Sequence, residues 1–120
     1  MNFHPEKALE SLREYHQKID EVGKKLIEAR KIYAVMEASL LDAERTARER
    51  YFKDKPCKLS ELSGWQKLET AMEYAAERQA HNQVKLCETE WSVAVEGLNI
   101  LKAAMRLMEM EAKNLNYNQN

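Results

Sequence analysis

The stretch RERYFKDKPCKLSELSGW, residues 48–65, decides the fold. On both sides of it the chain reads as long helix. Within it stands Pro56, which disfavours helical geometry at Lys55. A helix that ends near Asp54 and another that begins between Ser60 and Gly64 leave a short connection. Short connections make consecutive helices antiparallel neighbours. Ser63-x-x-Gln66 matches a capping box for the second helix, with Ser60 as an alternative cap one turn earlier.

Upstream, the first helix starts at Pro5-Glu6-Lys7, where a proline is tolerated because its missing N–H has no partner in a first turn. A heptad then runs without a slip. One set of core positions is Leu12, Ile19, Leu26, Tyr33, Leu40 and Ala47; the other is Ala8, Tyr15, Val22, Ala29, Met36 and Ala43. The pattern fails at Arg50. Downstream, Val84, Cys87, Trp91, Ala94, Leu98, Leu101, Met105, Met108, Ala112 and Leu115 repeat it. Trp65, Leu68 and Met72 stand in another phase, joined to the later heptad by Met72, Ala76, Ala80 and Val84. Such a shift unwinds a supercoil or moves the helix onto a different neighbour. The expected fold is all-α: a long antiparallel hairpin in one domain over 1–120, with helices over about 6–54 and 62–115, a turn over 55–61 and a frayed tail over 116–120. Gly23 falls opposite Trp91 and is expected to make room for its indole.

The apolar surface is wider than one hairpin needs. Ile27, Ile32, Val35 and Leu41 on the first helix, and Ile100 and Leu107 on the second, lie beside the heptad stripes. A second copy is the simplest cover, so these residues are the expected interface of a homodimer, two hairpins forming a four-helix bundle. The alternative is a monomer in which one helix breaks at Gly23 or near Ala80 and folds back.

Composition agrees with long helices: 32% of the 120 residues are charged, and three glycines and two prolines leave few breakers. A net charge of −1 gives no global field to draw in nucleic acid or an anionic membrane. No apolar run approaches the roughly 20 residues of a membrane span, and Met1 to Glu10 shows no secretory signal. Cys57 and Cys87 lie apart and outside any CxxC, so they read as free thiols in a reducing compartment, the cytoplasm. His16 with Asp20 and Glu77 with His81 are one turn apart, which is too little for a metal centre. No phosphate loop or nucleophile motif appears. No catalytic residue, metal or cofactor is expected, and the protein reads as non-enzymatic.

The bend holds the sharpest charge imbalance. Residues 45–58 carry an excess of +4. Arg48, Arg50, Lys53, Lys55 and Lys58, with Tyr51 and Phe52 among them, make a candidate contact tip. Its plain reading is a solvated turn in which Tyr51 and Phe52 pack on Trp65 and Leu62. The functional readings are an unidentified acidic protein partner first and nucleic acid second.

The run RKIYAVMEASLLDAERTARERYFKD and the later WSVAVEGLNILKAAMRLME resemble the small helical-hairpin proteins encoded in early or recombination regions of bacterial viruses. Tyr33, Glu37, Ala43, Glu44, Arg45, Trp91, Leu98, Leu101 and Arg106 carry the likeness. The resemblance implies a protein that binds a host or replication protein, in the host cytoplasm.

Overall fold

The computed structural model describes residues 4–119, with side chains as far as Leu115. The chain forms α1 (Pro5–Asp54), a 3-10 turn (Leu59–Glu61), α2 (Leu62–Glu69) and α3 (Ala71–Gln119). Among the described residues there is no strand. The fold is all-α, built on a long helix pair, α1 with α3. The expected frayed tail lies partly outside the described residues, at Asn120 and the side chains from 116 on, while the backbone stays helical to Gln119.

Each terminus has a local cause. The carbonyl of His4 accepts the Ala8 N–H at 3.1 Å, which opens α1 with Pro5 in the first position. At the other end Lys55 adopts φ 46°, and its N–H reaches the Tyr51 carbonyl at 2.8 Å. This left-handed closure satisfies a terminal carbonyl. A side chain there costs roughly 1–2 kcal/mol, and Pro56 then prevents continuation. The expected capping box does not form. Ser63 lies inside α2, and neither Glu61 nor Lys58 makes a side-chain cap. The 3-10 turn removes the need, because the Leu62 and Glu61 N–H groups find the carbonyls of Leu59 and Lys58.

Contacts gather into two compact units. One joins Met1–Lys25 and Cys87–Asn120; the other is Leu26–Leu86. In the first, Val22, Cys87, Ala94 and Leu98 are buried. The Trp91 indole stands over Gly23, and the Tyr15 ring over Gly97. As the residue number rises on α1 it falls on α3, so the pairing is antiparallel. In the second unit Leu26, Ala29, Ala47, Tyr51, Ala80 and Val84 are buried. There Tyr33 meets His81, and Arg50 meets Glu69, again antiparallel. Helix α1 continues through Gly23 and α3 through Ala80, so neither break required by a folded-back chain occurs.

Two expectations are corrected. The first is the phase shift near Ala80. Counting back from Val84 in steps of three and four gives Ala80, Glu77, Glu73 and Thr70. Thr70, Glu77 and Ala80 are buried and Glu73 is half-buried, whereas Met72 is 84% exposed. One heptad therefore runs unbroken along α3, with polar residues in its first core positions. The change of phase sits at Thr70, where φ −110° and ψ 16° separate α2 from α3. The Thr70 hydroxyl donates to the Gln66 carbonyl at 2.8 Å, and its amide reaches the same oxygen at 3.0 Å. The second concerns Gly23. A methyl group there would lie 3.9 Å from Trp91 Nε1, in ordinary contact. The close approach is at Gly97, where a methyl would lie 2.7 Å from Tyr15 Cε1.

Two stability predictions follow from this geometry. Gly23→Ala should stabilise by about 0.5–1 kcal/mol through helix propensity. Gly97→Ala should gain less than that or lose stability, since the Tyr15 ring must move. Urea unfolding of both variants checks the difference, and equal gains would contradict the packing. Lys55→Gly should stabilise by about 1 kcal/mol, because glycine adopts φ 46° freely; an unchanged melting temperature would count against it.

Candidate functional site

The bend belongs to the Leu26–Leu86 unit, and its anchor is Tyr51. That residue is buried where the heptad fails at Arg50, and its hydroxyl donates to the Cys57 carbonyl at 3.3 Å. Its ring lies 5.4 Å from Phe52, edge-on, and 5.9 Å from Trp65. Half of the plain reading is therefore right: Tyr51 closes the end of the helix pair on Trp65. Phe52 touches the Tyr51 ring but makes no ring contact with Trp65 and is 64% exposed.

Folding disperses the basic cluster. Arg45 pairs with Asp42 at 2.6 Å, and Arg50 pairs across to Glu69 at 3.1 Å. Arg48 Nε donates to Gln66 Oε1 at 3.5 Å. Asp42 and Glu69 both lie outside residues 45–58, so the local excess seen along the sequence is partly cancelled in space. Lys53, Lys55 and Lys58 remain exposed and form no ion pair among the described residues. All these pairs are exposed, and such pairs contribute little to stability.

What the sequence reading did not place at the tip is apolar. Leu68 is 79% exposed and Met72 84%, and Leu59 is exposed as well. Of the out-of-phase residues, Trp65 of α2 is half-buried against Tyr51, while Leu68 of α2 and Met72 of α3 face solvent. The change of phase expected from these residues is an outer face rather than a change of helix partner. Beside it lies a cleft of about 450 Å³ lined by Cys57, Ser60, Glu61, Gly64, Trp65 and Leu68. Nothing stands within 4 Å above Gly64. The Cys57 thiol at its edge is held above its ordinary value, first by burial and then by the Glu61 charge. That is the opposite of an activated cysteine.

A polar layer crosses the same unit. Glu77 is 4% exposed. Arg78 Nε and Nη2 donate to its two oxygens at 2.6 and 2.5 Å. Neighbouring residues on a helix do not share a face, so the arginine folds back along the helix edge to cover the carboxylate while staying partly in water. The Tyr33 ring lies 5.4 Å from His81, and its hydroxyl lies under the influence of the Glu37 and Glu77 carboxylates. The Arg78 hydrogen bonds hold the Glu77 carboxyl below its ordinary range; the Tyr33 hydroxyl and His81 add to this against the effect of burial. The Glu37 carboxylate first, then burial and the Glu77 carboxylate, push the Tyr33 phenol above its ordinary value. Among the described residues no group of three or more His, Cys, Asp or Glu could hold a metal ion.

The expected interface residues Ile27, Ile32, Val35 and Leu41 are exposed on α1 in the Leu26–Leu86 unit, and Ile100 and Leu107 are exposed on α3 in the other. Among the described residues no helix is long and apolar enough to cross a membrane. No family model, curated protein or solved structure matches the chain.

The polar layer predicts an acid sensitivity. A carboxyl lowered in the folded state stabilises fully above its ordinary value of 4.5, and that contribution is lost as pH falls through the lower folded value. Between about pH 5 and pH 3 the melting temperature of the native chain should fall more steeply than that of Glu77→Gln. Parallel curves would remove Glu77 as the cause.

Proposed function

We propose that the chain is a non-enzymatic protein-interaction module that associates with itself and binds another protein, as an adaptor, inhibitor or structural element. The observation that carries this reading is the set of large aliphatic side chains left exposed outside the heptad core, from Ile27 and Leu41 to Ile100 and Leu107. Burying apolar area contributes about 25 cal/mol per Å², and exposed apolar patches of this kind mark interaction sites. The tip adds Phe52, Leu68 and Met72 beside Lys53, Lys55 and Lys58, a combination suited to an acidic protein surface with apolar anchors. The resemblance to phage-encoded helical hairpins favours a host or replication protein as that partner, met in the host cytoplasm.

Nucleic-acid binding through residues 45–58 is the second reading. It rests on the three lysines and on exposed Phe52, and it loses ground because Arg45 and Arg50 are engaged by carboxylates. Salt separates the two. Phosphate contacts release counterions, so retention on DNA would fall steeply with salt.

Sedimentation velocity at micromolar concentration should show a dimer or higher oligomer, and a compact monomer would reject self-association. Reversal of Arg48, Arg50, Lys53, Lys55 and Lys58 to glutamate should abolish capture of the partner from host lysate while helicity and oligomer size stay unchanged. Capture that survives the reversal would move the contact away from the tip.

A further inference from the structure

We infer that α3 of one copy pairs in parallel with α3 of a second copy, along a short seam on its outer face. This rests on the self-association reading above. In the unit that contains Cys87–Asn120, the residues Ile100, Ala103, Leu107, Met110 and Asn114 are all exposed. They recur at intervals of three and four. This is a second heptad stripe, separate from the stripe of Ala94, Leu98, Leu101 and Met105 that is buried or half-buried. Ile100, Leu107 and Asn114 take the first position of successive heptads, and Ala103 and Met110 the fourth. Aliphatic layers with a single asparagine at a first position characterise a seam whose register is specified.

The flanking charges choose the direction. Arg106 precedes Leu107 by one residue, and Glu111 follows Met110. Neither forms an ion pair among the described residues. In a parallel pair the seventh position of one heptad faces the fifth position of the partner's next heptad. Arg106 then meets Glu111 of the partner subunit, and two-fold symmetry repeats the contact. An antiparallel pair over the same stripe stacks Ile100 on the partner's Met110 and brings Arg106 beside its own copy. Sliding that arrangement towards Val93 parts the arginines but sets Glu90 against Glu111 of the partner subunit. Both antiparallel arrangements oppose like charges, and the parallel one opposes unlike charges. Glu96 occupies the fourth position before Ile100, where a parallel pair would set it against itself, so the seam ends there.

The test uses the full chain carrying Cys57→Ser, with the buried Cys87 left in place. Ile100→Cys alone and Met110→Cys alone should each cross-link to its own copy under mild oxidation, while a mixture should give no excess of mixed cross-links. Arg106→Glu should weaken the dimer about fivefold, as expected for two exposed ion pairs, and adding Glu111→Arg to the same chain should restore it. Cross-links found only in the mixture, or a failed restoration, would overturn the parallel seam. A dimer that Leu107→Lys leaves intact would overturn the seam while self-association stands. An unsubstituted chain that sediments as a monomer would remove both.

Discussion

Everything in this protein depends on a narrow apolar seam between α1 and α3. Its buried members are mostly small: Ala29, Ala47, Ala80, Ala94, Val22, Val84 and Cys87, with Leu26 and Leu98 the larger aliphatic ones. Small residues let two helices approach closely, and at Gly97 the approach is tight enough that the Tyr15 ring occupies the space of a methyl group. The same smallness limits the stabilisation. Among the described residues no large side chain is fully buried. Within each unit, α1 and α3 therefore meet along a thin strip. Their other faces stay available, and those faces carry Ile27, Val35, Leu41, Ile100 and Leu107.

A seam of interchangeable small residues specifies its own alignment weakly. The polar layer around Glu77 supplies what the alanines lack. Arg78 covers the Glu77 carboxylate from the same helix and stays with it at any alignment, whereas Tyr33 of α1 meets His81 of α3 at one alignment only. A slip of one heptad would part that contact while the carboxylate kept its arginine. We read the Tyr33–His81 contact as an aid to alignment, in line with polar core positions that fix register elsewhere. At the bend, Tyr51 has a comparable role, since its hydroxyl ties the end of α1 to the Cys57 carbonyl.

The bend also shows how charge along a chain differs from charge in space. Along the sequence residues 45–58 are strongly basic. In the fold, Asp42 sits one turn before Arg45 and Glu69 arrives from α2 beside Arg50. Lys53, Lys55 and Lys58 remain exposed, as do Phe52, Leu68 and Met72 of the same unit.

Helix content, the chain reversal at Pro56, the α1 core from Ala8 to Ala47 and most of the α3 core from Val84 to Ala112 were legible in the sequence, because seven-residue periodicity follows directly from helix geometry; Trp91 and Leu115, expected in that core, are exposed. So were the exposed aliphatic positions, because they fall between the core positions. The sequence could not show that Glu77 and Thr70 occupy core positions. Following apolar residues led to Met72 and Ala76, while the backbone kept its period and took polar residues inward, where Arg78 and Gln66 satisfy them. Nor could it show that Gly97 rather than Gly23 is sterically required, or that Phe52 turns outward while Tyr51 turns in. Those depend on which side chains meet across the seam. The sequence determined the helices and their inward stripes through local periodicity. Only the tertiary structure decided which residues meet across the seam, such as Tyr15 with Gly97 and Tyr33 with His81, because those contacts join positions far apart in the chain.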